Sequence, residues 1–197
     1  QRKNPLGLVR AFRKAFPDPA TPVGLIVKST GAVGHYPEIK QALRDASRQD
    51  GRIEIIDETL DRREMLALIQ AADCYTSLHR AEGFGLGMAE AMALGKPVIA
   101  TAYSGNAEFV TPETAYAIPY KLRDVPPDGY VYPEGQVWAE PDEAASAAAM
   151  AQVFGDQAEA RERAHAGQAF IARRFGPANV GNIAATRLAE IFASLKI

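Results

Sequence analysis

Ser77-Leu78-His79-Arg80-Ala81-Glu82-Gly83-Phe84-Gly85-Leu86-Gly87-Met88-Ala89-Glu90-Ala91-Met92-Ala93-Leu94-Gly95-Lys96-Pro97-Val98-Ile99-Ala100 is the stretch on which the fold turns. It reads as strand, glycine-rich loop, short helix, turn and second strand. Cys74 to Leu78 and Pro97 to Thr101 are short apolar runs of strand type, and Met88, Ala89, Met92 and Ala93 recur between them at helical spacing. Gly83, Gly85 and Gly87 let the backbone approach a ligand closely, and the helix that follows aims its free N–H groups at whatever sits there. Two carboxylates flank the loop: Glu82 before it and Glu90 in the first turns of the helix. A loop that attracts anions and also carries two acids suits a ligand with both phosphates and hydroxyls, as a nucleotide-sugar has.

Upstream, Asn4 and Pro5 form an N-cap and first helical position, and Leu8, Val9, Phe12, Ala15 and Phe16 make one apolar face that Pro17 ends. Val23 to Lys28 and Arg52 to Asp57 read as strands. Tyr36, Ile39, Leu43 and Ala46 stripe one helix, and Met65, Leu68, Ile69 and Ala72 another. Downstream come a second small-residue turn at Tyr103-Ser104-Gly105-Asn106 and a short strand from Thr114 to Pro119. From Tyr120 to Pro141, prolines 119, 126, 127, 133 and 141 and scattered aromatics predict an irregular excursion of the functional or mobile kind. The rest reads as helix, Ala144 to Val153, Ala158 to Phe175, and a strongly amphipathic last helix lined by Val180, Ile183, Leu188, Ile191, Phe192 and Leu195.

Strand–helix alternation predicts an α/β fold: a Rossmann-like, doubly wound parallel sheet with helices on both faces. Such units open on a strand, whereas this chain opens on a helix, so the reading expects a piece of a longer protein whose first strand is missing here. It takes residues 1–197 as one domain, with a C-terminal helical segment at about 142–197.

Bulk properties narrow the function. The chain has 197 residues, 47% apolar and 23% charged, and a formal charge of −2, which argues against nucleic acid held by bulk electrostatics. No apolar run approaches the roughly 20 residues that span a bilayer, and no signal peptide is visible, so a cytoplasmic location is expected. Cys74 is the only cysteine and the three histidines, His35, His79 and His165, are dispersed, so neither a disulfide framework nor a metal site is expected. His79 either faces the crevice or simply ends a strand, His35 lies in a loop that could approach a nucleotide, and His165 reads as surface.

The central stretch resembles the C-terminal, donor-binding domain of family 4 (group 1) glycosyltransferases, one half of the GT-B fold. That family's pattern is an acid, Gly-Phe-Gly-Leu, three variable residues and a second acid, then Ala-Met-Ala, Gly and Pro-Val-Ile-Ala. Glu82 to Ala100 follow it almost residue for residue. More loosely, Arg2-Lys3-Asn4-Pro5 resembles the family's basic element before its first helix, and Ser104-Gly105-Asn106 its second glycine turn. The resemblance implies that Glu90 holds the ribose hydroxyls and that Glu82, the catalytic candidate, lies near the donor sugar and reacting centre. It implies that Gly83, Phe84, Gly85 and Leu86 offer amides to sugar and phosphate, with Ser104, Gly105 and Asn106 beside them. Arg2 and Lys3 would neutralise the departing diphosphate. It also implies a retaining hexosyl transfer from a nucleotide-diphosphate sugar with no metal or other cofactor, in surface polysaccharide biosynthesis. The acceptor site would lie on an N-terminal domain absent here, so the chain alone would transfer little, and the full protein could associate peripherally with a membrane.

Three departures stand out: the family's upstream arginine would precede Gln1, Gly87 stands where proline or threonine is common, and Ser104 replaces a usual glycine. Glu90 also has a structural alternative, because with Gly87 as N-cap it would be the third helical residue and could bond back to the cap amide. Competing functions are a catalytically silent sugar-nucleotide-binding module, a sugar-nucleotide epimerase of related architecture, and an NAD-type oxidoreductase. The last fails on context, since the glycines follow a late strand and no acid ends the next strand near Ala102.

Overall fold

Asn4 sets the first helix. Its side-chain oxygen accepts a hydrogen bond from the Gly7 amide at 3.2 Å, and Pro5 opens α1 (Pro5–Ala15), as the sequence predicts. The computed structural model describes residues 1–29 and 36–195; His35 lies outside them. After α1 come β1 (Leu25–Lys28), α2 (Pro37–Gln49), β2 (Ile53–Ile56), α3 (Arg62–Ala71), β3 (Tyr75–Ser77), α4 (Leu86–Ala93), β4 (Val98–Thr101), a 3-10 turn at Gly105–Glu108 and β5 (Tyr116–Ile118).

The strands are parallel, as alternation with helices requires. Leu25 lies opposite Ile53 in β1–β2, and β4 runs between β3 and β5 with Tyr75 opposite Val98 and Ile99 opposite Tyr116. Every residue of β4 is buried, which is why Val98–Thr101 reads as an unbroken apolar run and not an alternating one. Hydrogen bonding divides these strands into two sheets, β1–β2 and β3–β4–β5. A single apolar cluster nonetheless spans both: Val27 and Ile53 share it with Leu78, Ile99 and Ile118, and Val9 and Phe12 of α1 join it from above.

One sequence expectation is corrected. The Tyr120–Pro141 stretch is not irregular throughout. It contains an antiparallel pair, β6 (Tyr120–Asp124) and β7 (Val137–Pro141), with Tyr120 opposite Pro141 and Asp124 opposite Val137. The prolines misled because they punctuate the pair: Pro126, Pro127 and Pro133 fall in the connection, and Pro141 ends its strand, where a missing N–H is tolerated. Asp142 then caps α5 (Glu143–Gly155) through the Ala145 amide, and α6 (Gln157–Phe175) and α7 (Pro177–Ser194) follow. The apolar stripe of α7 does not enter the core: the helix buries no residue, and Ile183, Leu188 and Phe192 are each more than half exposed. No described helix is long and apolar enough to cross a membrane.

Candidate functional site

Strand periodicity builds the floor of the site. Tyr75 and Ser77, two apart on β3, share one face, while Leu78 beyond the strand end is buried in the core. The chain then turns through Glu82 to Gly85 and enters α4. Gly85 is the N-cap at φ 91°, a conformation natural to glycine, and a Cβ there would strike the Met88 side chain. A cleft of about 340 Å³ opens at this turn, lined by Lys3, Tyr75, Ser77, Glu82 and the Phe84–Met88 segment.

The cleft gathers opposite charges at its rim. Lys3 forms an ion pair with Glu82, and Arg2 Nη1 lies 3.7 Å from the same carboxylate while donating to the Ala81 carbonyl at 2.7 Å. The Gly83 amide donates to Glu82 Oε1 at 3.2 Å. Burial pushes the Glu82 carboxyl up, but the Lys3 hydrogen bond and the charges of Lys3 and Arg2 outweigh it and hold the group below its ordinary value. The basic N-terminal segment is itself clamped in place. The Arg80 amide donates to the Arg2 carbonyl at 2.8 Å, and the Arg80 guanidinium grips Glu140 of β7 at 2.7 and 3.0 Å and bonds the Gln1 carbonyl at 3.1 Å. Sequence reading gave Arg80 no role, because nothing local announces a partner 60 positions away.

Glu90 is placed differently from the capping alternative. Because α4 starts at Leu86, Glu90 is its fifth residue and cannot close a capping box; its carboxylate pairs instead with Arg62 Nη1 of α3 at 2.9 Å. Glu90 is not among the residues lining the cleft, yet its charge reaches the cleft floor. The Tyr75 hydroxyl is pushed above its ordinary value by burial first, and then by Glu82 and Glu90 together. Gly87 gives room to that hydroxyl: a Cβ at 87 would collide with it, which explains why no proline or threonine stands here.

The second turn packs against the first. A Cβ on Gly105 would run into the Gly83 carbonyl, so the two glycine turns touch backbone to backbone. Ser104, the residue before Gly105, adopts φ 75° and ψ −152°. The Asn106 side chain is buried, donating to the Thr101 carbonyl at 2.9 Å and facing His79 Nε2 at 3.1 Å. His79 does not face the crevice. Its ring is wholly buried and meets the cleft only through Ser77, whose hydroxyl lies 3.1 Å from Nδ1. Phe84 anchors the loop by packing on Phe109 and Phe175, with centroids 5.3 and 5.1 Å away. Lys3, Glu82, Phe84, Gly85 and Leu86 therefore meet at one cleft, with Arg2, Gly83, Ser104 and Gly105 beside it, while the side chains of Glu90, His79 and Asn106 are engaged elsewhere. Tyr75 and Ser77 were missed, although alternate polar positions on the strand feeding a glycine loop were a usable signal.

A family model described as glycosyl transferases, group 1, matches residues 3–156. Among solved structures, the chain is similar to HepE of Anabaena, determined with UDP and glucose, at 20% identity and a TM-score of 0.71, over 96% of this chain and 45% of that one. It is similar to sucrose-phosphate synthase from Thermosynechococcus elongatus at 22% identity and a TM-score of 0.73, over 98% and 43% of the two chains. It is also similar to the C-terminal domain of a group 1 family glycosyl transferase, LpcC, from Francisella tularensis, at 20% identity and a TM-score of 0.66, over 89% and 81%. The chain spans less than half the length of the first two of these proteins. No curated protein sequence matches it.

Proposed function

We propose a function from one premise: the chain belongs to the group 1 glycosyl transferases. It is the donor-binding half of a retaining glycosyltransferase, moving a hexosyl unit from a nucleotide-diphosphate sugar to an acceptor held by an N-terminal domain of the full protein. One observation carries this reading. An acid, two cations and the N-terminus of α4 converge on a single cleft, with Glu82 between Lys3 and Arg2. When the glycosidic bond breaks, negative charge grows on the leaving diphosphate. Lys3, Arg2 and the first amides of α4 lie beside one another where they would stabilise that charge and so lower the barrier. Glu82 sits where it can accept hydrogen bonds from sugar hydroxyls. Glu90, a helical turn further on, would exchange its exposed partner Arg62 for the ribose diol.

In this reading the reaction uses no resident metal, the setting is surface polysaccharide synthesis in the cytoplasm, and the full protein binds the membrane peripherally. HepE, determined in complex with UDP-glucose, supports a nucleotide-sugar as the ligand class. The test is a thermal-shift panel of UDP, GDP, ADP and TDP with their glucose derivatives. One base series should raise the melting temperature by several degrees; a flat response to all of them would overturn the donor-site reading.

A further inference from the structure

We infer that Ser77 presents a fixed hydrogen-bond acceptor to the cleft and reads a hydroxyl of the donor sugar, with His79 and Asn106 as the positioning residues that set its proton. The inference rests on the donor-site reading above, and the hydrogen-bond directions follow from elementary donor and acceptor rules. The Asn106 side chain reaches the Thr101 carbonyl at 2.9 Å; a carbonyl only accepts, so the amide nitrogen faces it and Oδ1 faces His79. His79 Nε2 therefore meets two acceptors, Asn106 Oδ1 at 3.1 Å and the Tyr103 carbonyl at 3.4 Å, and must carry the ring proton. A neutral imidazole has one N–H, so Nδ1 is bare and accepts from the Ser77 hydroxyl at 3.1 Å. Burial holds the ring neutral by pushing its titration below the ordinary range.

The one hydroxyl proton of Ser77 is thus turned inward, and the lone pairs of Oγ are left for the cleft the residue lines. Ionised phosphate oxygens are themselves acceptors, so Ser77 has nothing to offer them. A hydroxyl can donate to it. The choice between sugar and ribose hydroxyls follows from position. Ser77 lines the cleft together with Glu82, the acid assigned to the transferred sugar, whereas Glu90, the acid assigned to the ribose, is not among the lining residues. The relay would then separate a hydroxyl subsite from the phosphate subsite formed by the cations and α4, and so help fix the register of the donor.

Two measurements on this chain test the inference. Nitrogen-15 correlation spectra of the histidine rings at pH 7, assigned with His35→Gln and His165→Gln, should show His79 neutral with its proton on Nε2. A proton on Nδ1, or a charged ring, would overturn the relay. In titration calorimetry, Ser77→Ala should weaken UDP-glucose binding about fivefold, the scale of one neutral hydrogen bond, and leave UDP binding unchanged, while Ser77→Thr restores the wild-type preference. Equal weakening of UDP and UDP-glucose would move Ser77 to the nucleotide and overturn the sugar assignment. Wild-type binding of both ligands with no effect of Ser77→Ala would overturn the inference alone. If the wild type binds neither these probes nor the corresponding GDP, ADP and TDP pairs, the donor-site reading fails, and the ligand assigned to Ser77 fails with it.

Discussion

Lys3 and Glu82, 79 positions apart in sequence, are joined as an ion pair at the mouth of the cleft, so the cation assigned to the diphosphate is neutralised before any donor arrives. Under the proposed function, an incoming phosphate would draw Lys3 from Glu82 and free the carboxylate for the sugar. Glu82→Gln removes that competition. Nucleoside diphosphate affinity should rise about two- to fivefold, the scale of a partly exposed ion pair, while turnover in the full-length protein falls by roughly 100-fold or more. Calorimetry and steady-state kinetics separate the two effects. A parallel loss of both would reduce Glu82 to a plain binding residue.

Glu90 and Arg62 form a pair of the exposed kind: the Arg62 side chain is 75% exposed, so its loss should change stability by no more than about 0.5 kcal/mol. If Glu90 leaves Arg62 to take the ribose, Arg62→Ala should leave nucleoside diphosphate affinity unchanged or up to about twofold tighter, and Glu90→Ala should abolish most of the nucleotide-induced thermal shift. A tenfold loss in Arg62→Ala would show that the arginine, not the acid, is the nucleotide contact.

The contrast between these two acids shows what the sequence could carry. The run Glu82 to Ala100 has a dense local pattern of glycine turn, helical spacing and apolar strand, and the structure forms these elements there, with α4 starting one residue later than the loop glycine Gly85. Partners far along the chain left no local mark: Arg80 with Glu140, Glu90 with Arg62, and His79 with Asn106 are set by tertiary packing. The β6–β7 pair was hidden for a different reason. Its prolines sit in the connection and at a strand end, where composition signals a loop although the flanking backbone is free to pair. The exposed stripe of α7 was legible as amphipathic, but amphipathicity alone does not say whether this chain supplies the surface that covers it.

Acid should loosen the cleft in a defined direction. The Glu82 carboxyl is held below its ordinary value of 4.5, so it binds fewer protons folded than unfolded near that value. Its contribution to stability is complete above the unfolded value and is lost as pH falls through the lower folded one. Between pH 6 and 8 the difference in urea midpoint between the wild type and Glu82→Gln should stay constant. Below about pH 4.5 the wild type should lose its advantage over Glu82→Gln, a comparison that removes the shared effects of Asp50, Asp57 and Glu113, which are also held low. If the difference between the two proteins is constant from pH 7 down to pH 3.5, the ion pair contributes nothing to folding.

Ser104 stores strain next to the site. Its φ of 75° and ψ of −152° belong to a region almost reserved for glycine, its side chain is exposed, and it makes no capping hydrogen bond that would compensate. Such a conformation costs on the order of 1–3 kcal/mol, and the greater freedom of glycine in the unfolded chain offsets about 0.4–1 kcal/mol of any gain from relieving it. Ser104→Gly should therefore raise stability by about 1 kcal/mol, or the melting temperature by about 2–4 °C for a chain of this size. Ser104→Ala keeps the Cβ and should melt with the wild type; an equal gain in both variants would place the effect on the hydroxyl and not on the backbone. Gly105, the next residue, abuts the Gly83 carbonyl, so the strained Ser104 adjoins the contact that sets the register of the two glycine turns. If that register is what the diphosphate recognises, the stabilised Ser104→Gly protein should bind nucleoside diphosphate more weakly than the wild type, and unchanged affinity would show that the strain serves packing alone.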